Sequence, residues 1–252
     1  MRRRLLLLAL SPLLAGADKP RLVPDVSQRR IDIVYSFHGA ELLLFGAIVH
    51  PGGRPPDRRT DVAVVVKGPG QSLVVREKAK VMGLWLNHDS QRFGSAPAFY
   101  AVASSRPLPE LVSARTAAIY ELGVGNLQLS PGGAATPEAR TRFERGLIDL
   151  KRRVGLYVEQ PRGVSVDEGV LYRARIAIPA RVAVGRYTAE TFLIRDGRVV
   201  AGASRDIVID KSGFERFVAL WAERRPGSYG LFAVALSLAF GWAGAALFGR
   251  RA

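Results

Sequence analysis

From Tyr229 to Gly249 the chain carries no charged side chain, and most positions are Leu, Ala, Val, Phe or Gly. Twenty-one residues in a helix reach about 31 Å, enough to cross the hydrocarbon core of a bilayer. A soluble domain can bury an apolar helix, but a core helix of this length seldom lacks every charge, so the stretch predicts a membrane span. Tyr229 stands where an interfacial aromatic belt belongs, Trp242 lies deeper than that rule favours, and Arg250 and Arg251 close the segment.

The opposite end carries a different apolar run. Arg2, Arg3 and Arg4 precede Leu5 to Leu14, interrupted only by Ser11 and Pro12, and Ala15-Gly16-Ala17 follows with small residues. Ten residues cover only about 15 Å, roughly half a bilayer core, so this reads as a secretory signal peptide over 1–17, cleaved after Ala17, rather than a second anchor. The charges beside the C-terminal span disagree with that reading. Lys211, Arg216, Arg224 and Arg225 precede the span and two arginines follow it, which by the positive-inside rule alone would put the preceding segment in the cytoplasm. A signal peptide takes precedence, because the body has then already crossed. The expected arrangement is a bacterial inner-membrane protein with its body in the periplasm and a short tail in the cytoplasm.

The about 210 residues between signal and span suffice for one large or two small domains. There is no cysteine, which excludes disulfides, zinc–thiolate sites and thiol nucleophiles. A net charge of +15, or +12 without Arg2 to Arg4, raises the question of nucleic acid. The basic residues are scattered among Asp and Glu, however, with no aromatic-interleaved Lys/Arg block for base stacking. Attraction to anionic lipid is the simpler explanation, and no nucleic-acid partner is expected.

The body reads as mainly β, with a unit over 24–130, a connecting helix over 136–156 and a second unit over 162–210. After a Pro-containing approach (Lys19 to Pro24), Ile31 to Phe37 alternates in part, His38-Gly39 turns, and Glu41 to Val49 is a denser run suited to a central strand. Pro51 to Arg59 is a loop by composition. Asp61 to Lys67 and Ser72 to Glu77 flank Gly68-Pro69-Gly70 as a predicted hairpin, and Val81 to Leu86 and Phe99 to Ala103 complete the first set. Leu108 to Leu122 predicts one helix. Thr136 as N-cap with Pro137 behind it starts another, with Phe143, Leu147, Leu150 and Val154 on its buried face. The opposite face carries Arg140, Arg142, Arg145, Lys151, Arg152 and Arg153, either simply solvated or a docking surface for lipid or an acidic partner.

Strands resume after Pro161. Gly169 to Ile178 alternates, and Tyr187 to Arg195 joins Arg198 to Ile209 through Asp196-Gly197, the best hairpin signal in the chain. A loop, Gly185 and then Tyr187 entering the penultimate strand has the shape of a tyrosine corner. The fold class is therefore mainly β: an immunoglobulin-like β-sandwich body of one or two units, a connecting helix and one C-terminal transmembrane helix. Between body and span, Ser212-Gly213-Phe214-Glu215 has capping-box spacing and opens an amphipathic helix over 212–225. Phe214, Phe217, Val218 and Trp221 lie on one side of it, suited either to lying on headgroups or to a docked stalk. Pro226-Gly227 should break it before the span, here placed at 229–249.

Little in the chain points to chemistry. His38, His50 and His88 do not pair at metal-ligand spacing, and there is no nucleophile elbow, P-loop or dinucleotide fingerprint. No catalytic residue, metal site or cofactor is expected. The most suggestive group is Trp85, Asn87, His88 and Asp89, with Ser90 after them, read as a strand-end loop where binding groups collect; ordinary Asx turns would also explain it. In the span, Ala233, Ser237, Gly241 and Ala245 fall four apart, a small-residue stripe that would admit a partner helix, although Ala235, Ala239 and Ala243 do the same.

Several stretches together resemble a family of alphaproteobacterial transmembrane proteins without an assigned activity, Alph_Pro_TM. They are Ser27 to Gly46, Gly83 to Ser90 (GLWLNHDS), Phe99 to Leu108, Gly146 to Tyr157, Val184 to Val200 and Gly213-Phe214-Glu215 leading to the span. The resemblance implies an exported body with one C-terminal span, and association with a transporter of the sulfite-exporter type. The expected function is a non-enzymatic accessory subunit of a transporter or envelope complex, with membrane lipid and a membrane protein as partners. A periplasmic small-ligand or metal-binding module is the alternative.

Overall fold

The computed structural model describes residues 20–33, 39–53, 60–133, 136–211 and 214–248. The expected signal peptide, the turn at His38 and the capping residue Ser212 lie outside them. The strands are β1 (Arg21–Val26), β2 (Arg30–Ile33), β3 (Ala40–Val49), β4 (Asp61–Lys67), β5 (Gly70–Val81), β6 (Leu84–Pro97) and β7 (Tyr100–Ser104), then β8 (Tyr157–Pro161), β9 (Val164–Asp167), β10 (Leu171–Ile178), β11 (Gly185–Arg195) and β12 (Arg198–Lys211). The helices are α1 (Leu108–Leu111), α2 (Ala114–Ile119), α3 (Pro137–Arg153), α4 (Phe214–Arg224) and α5 (Pro226–Phe248).

One sheet runs β1-β3-β10-β9, a second runs β2-β12-β11-β4-β7-β8, and β5 and β6 form a separate two-stranded sheet; one of the sheets curls into a half-barrel. The segments 24–130 and 162–210 are interleaved, since β3 pairs with β10 and β4 with β11. One buried cluster takes Leu42, Leu44, Tyr172 and Ile176 from the smaller sheet and Val64, Ala101, Leu193 and Ile207 from the larger. The alternation read in β10 holds: Tyr172, Ala174, Ile176 and Ile178 are all buried. A second cluster covers the outer face of the larger sheet, where Leu111, Ala117, Leu122 and Val124 close over Val65, Val102 and Ile194. With apolar layers on both sides, β4 is buried from Val62 to Val66, which explains its unbroken apolar run.

Several local expectations are corrected. Asp61–Lys67 does not form a hairpin with the strand after Gly68-Pro69-Gly70; it lies between β7 and β11, and the Gly-Pro-Gly segment leads out of the sheet. The hairpin is instead β5–β6, closed by Met82-Gly83 with Val81 opposite Leu84, so Val81 to Leu86 straddles a turn rather than forming a strand. Both turn residues have positive φ, 49° and 87°, the demand of a type I′ turn. Methionine seldom takes that conformation, so Met82-Gly83 carries no turn signal of its own. The predicted helix over Leu108–Leu122 is two helices, because Val112 is extended and Ser113 caps the second by accepting from the Thr116 N–H. Helix α3 starts as expected, with the Thr136 side chain accepting from Ala139 N, but Leu150 and Val154 are exposed. The helix is shared between two clusters: Phe143 and Leu147 meet β5–β6, while Ile148 turns to the covered face of the larger sheet.

Three strands lie where the sequence pattern marks none: β1, β8 and the short β9, which pairs with β10. β1 contains Pro24, tolerable because β1 pairs on one side only and a missing N–H can face outward. β8 is the last strand of the larger sheet and runs parallel to β7, where Pro161 ends it. The Asp196-Gly197 hairpin forms as predicted.

Candidate functional site

The β5–β6 hairpin leaves the larger sheet as an arm with its own small core. Its base is closed by Gly68 N donating to Phe99 O (2.8 Å) and Ala98 N donating to Pro69 O (2.8 Å). Farther out, Leu73, Val75, Phe93 and Ala96 pack on Phe143 and Leu147 of α3, and the segment before α3 adds a rail through Gly94 N to Ser130 O and Gly132 N to Arg92 O. Arg142 of α3 then reaches both strands, 3.1 Å from Glu77 and 3.3 Å from Asp89. Beyond this clamp residues 78–87 are exposed apart from half-buried Ala79.

The group expected to form a strand-end loop therefore sits within a strand. Trp85, Asn87, His88 and Asp89 all belong to β6, and the register slips between Glu77 and Lys78, leaving His88 as the extra residue of a bulge. Asp89 serves as an anchor for Arg142, while Trp85 and His88 stay exposed. His50 is buried with its Nε2 2.7 Å from Gly169 O, while His88 is exposed on β6; His38 lies outside the described residues. Among the described residues no three of His, Cys, Asp or Glu gather as a metal site. A cleft of about 590 Å³ does lie between arm and α3, bordered by Asp89, Ser90, Gln91, Arg92, Thr136 and Phe143. Its buried Gln91 amide already donates to the carbonyls of Arg92 and Gly132.

The basic face of α3 is largely engaged. Arg142 clamps the arm, Arg152 lies 3.3 Å from Glu159, and Arg153 lies 2.7 Å from Asp149. Lys151 lies over the Tyr157 ring, where burial lowers its pKa.

At the arm's root is a polar cluster that no local pattern could reveal, because its members come from four separate elements. Lys67 Nζ lies 2.6 Å from Glu121 and 3.2 Å from Glu190. Burial pulls the ammonium pKa down, but the two carboxylates together outweigh that and leave it raised. Beside it the Tyr100 hydroxyl donates to Glu121 O (2.6 Å) and accepts from Gly123 N (2.9 Å). Burial drives the Tyr100 phenol pKa strongly upward. At the far end of β4, Asp61 accepts from Ser105 Oγ (2.8 Å) and from Arg106 in two-pronged fashion.

The C-terminal helices meet at an elbow. Pro226 is the first residue of α5, so the expected break falls at Arg225 and the helix starts three residues earlier than the predicted span. Trp221 Nε1 donates to Ser228 Oγ (3.0 Å), and its ring lies 5.8, 5.9 and 5.1 Å from those of Phe217, Tyr229 and Phe232. Tyr229 thus sits in an aromatic cluster at the head of the apolar helix, as an interfacial belt requires. None of the candidate spanning window, Pro226–Ala245, is buried, which sets α5 apart from a soluble core helix. Ala233, Ser237, Gly241 and Ala245 are all exposed on it, and the Ser237 hydroxyl is satisfied by Ala233 O at 2.8 Å.

A comparison with curated proteins finds no match. The family described as "Putative transmembrane protein (Alph_Pro_TM)" matches over residues 21–250, and the chain belongs to that family.

Proposed function

We propose that this is a non-enzymatic inner-membrane protein, anchored by α5, whose immunoglobulin-like body stands in the periplasm as an accessory subunit of a membrane transporter or envelope complex. The strand orders support the fold. β1-β3-β10-β9 corresponds to the A-B-E-D sheet of that architecture, and β12-β11-β4 to G-F-C, extended by β7 and β8 on one side and β2 on the other. Tyr187, entering the penultimate strand, donates its hydroxyl to Ala183 O at 2.6 Å, the bond that defines a tyrosine corner.

One observation carries the functional reading: among the described residues, the large apolar side chains exposed by about two-thirds or more, Met82, Leu84, Trp85, Leu231, Leu238, Phe240 and Trp242, all lie on the arm or on α5. Solubilisation in mild detergent followed by isolation with bound neighbours tests it; recovery only as a lone monomer would count decisively against an accessory role. Reporters in the body and at the C-terminus should read opposite sides of the membrane. The cleft beside Asp89 supports a ligand-binding alternative, which equilibrium titration with divalent metals and anions against His88→Ala would eliminate if wild type and variant bind nothing.

A further inference from the structure

We infer that the β5–β6 arm is a second point of membrane contact, whose apolar turn enters the headgroup layer of the bilayer crossed by α5 while Lys78 and Lys80 meet anionic headgroups. The placement follows from strand register. Lys67, the last residue of β4, pairs with Thr188 at the start of β11, and Thr188 pairs with Asp206 near the end of β12. Antiparallel pairing twice over makes β4 and β12 run the same way. The arm leaves β4, and the chain leaves β12 for α4 and α5, at the same end of the sheet. One strand separates them, so the two roots lie about 10 Å apart laterally.

The arm does not fold back on the body. Its buried residues form a cluster that shares none with the two clusters of the sheets. Past the Arg142 clamp four residues remain in β5 and five, one of them the bulge residue, in β6, roughly 13 Å of free ribbon. The chemistry of that ribbon suits a bilayer surface. Met82 at the turn is fully exposed, and Leu84 and Trp85 are about two-thirds exposed. In the register Val81 opposes Leu84 and Ala79 opposes Leu86, giving one apolar face, while Lys80 opposes Trp85 on the other. An aromatic beside cations at the edge of an apolar tip is the composition of an interfacial contact. A protein groove could also take an apolar ribbon. The lysines and the shared exit with the anchor favour lipid.

The inference rests on the reading of α5 as a span, and the experiment separates the two. Because the chain has no cysteine, single cysteines can carry an environment-sensitive fluorophore in the full-length protein. Met82→Cys is compared with Leu238→Cys within α5 and Arg198→Cys at the opposite end of the larger sheet, in nanodiscs of phosphatidylcholine with or without phosphatidylglycerol. Quenching by nitroxide-labelled lipid should be deep at position 238 and absent at 198. At position 82 it should be several-fold above that at 198 in the anionic discs, and fall toward it when Lys78→Glu and Lys80→Glu are added. Deep quenching at 238 with none at 82 overturns the inference and leaves the span intact, as does a label at 82 shielded from iodide only in native membranes, which would mean a protein occupant. No quenching at 238 would fell the span reading and this inference with it.

Discussion

Tyr187→Phe isolates the tyrosine corner. The ring is fully buried and lies 6.1 Å from that of Phe99; phenylalanine keeps that packing and removes one hydroxyl. What is lost is the 2.6 Å bond to Ala183 O, whose carbonyl is left without that donor. A hydrogen bond of this kind contributes about 1 kcal/mol net, and an orphaned partner adds to the loss, so about 1.5 kcal/mol is expected. For a body of this size that lowers Tm by about 3–6 °C. Burial pushes the phenol up to about 12, from 10.0. The protonated form is therefore favoured by folding: its contribution is complete below pH 10 and disappears as pH rises from 10 through 12. One such group adds up to about 1.4 kcal/mol per pH unit to the alkaline slope of stability. The variant should be less stable than wild type at pH 8 and close the gap by pH 11. Guanidinium unfolding of the detergent-solubilised chain at both pH values measures this. Equal stability at pH 8 together with an equal slope above pH 10 would refute the assignment of Tyr187 as a corner.

Two other substitutions probe the frame. In Gly46→Ala the new methyl would fall 2.5 Å from Val23 O and 2.7 Å from the Tyr172 hydroxyl; because the first is backbone, β1 must shift. A loss of about 1–3 kcal/mol is expected, with faster amide exchange concentrated in β1. Lys67→Met leaves Glu121 and Glu190 facing each other without their shared cation, costing about 1–3 kcal/mol near pH 7 by denaturant unfolding, and adding Glu121→Gln should recover part of it. Since the Lys67 pKa is raised, the wild-type advantage is complete below about pH 10.5 and is lost as pH climbs through the raised value.

The sequence disclosed what depends on neighbours in the chain. The cap at Thr136, the Asp196-Gly197 turn, the alternation of Tyr172 to Ile178 and the uncharged α5 are all local, and all are present. It was silent where the deciding partner is distant. Gly68-Pro69-Gly70 has the composition of a hairpin turn, but β4 is buried on both faces and is satisfied by β7 and β11 instead. Met82 adopts the conformation of Asn or Asp because eleven paired residues of β5 zip against β6 beside it. The group Trp85 to Asp89 looked like a loop for the same reason: once the turn is placed at Gly83, those residues can only be strand. The Lys67–Glu121–Glu190 cluster joins residues 54 and more positions apart and has no sequence signature.

The corner and the arm are mechanically connected, which separates two roles of one tyrosine. A Cβ at Gly68 would sit 2.9 Å from Tyr187 Cε1 and 3.1 Å from Phe99 N, so the ring wedges against the glycine where β4 gives way to the arm. Gly185, with φ of 143°, faces Pro69 in the same joint, where a Cβ would lie 3.0 Å from its Cγ. Tyr187→Phe keeps the ring, hence the wedge, and should lower stability without freeing the arm. Gly68→Ala keeps the hydroxyl bond but forces ring and root apart, at about 1–3 kcal/mol. It should quicken amide exchange at the arm's base, in the Phe99–Gly68 and Ala98–Pro69 bonds, beyond what its effect on global stability accounts for. If both variants changed exchange at the base only in proportion to the stability they lose, the arm would be an ordinary insertion hung on the sheet, not a part held at a set angle by the corner.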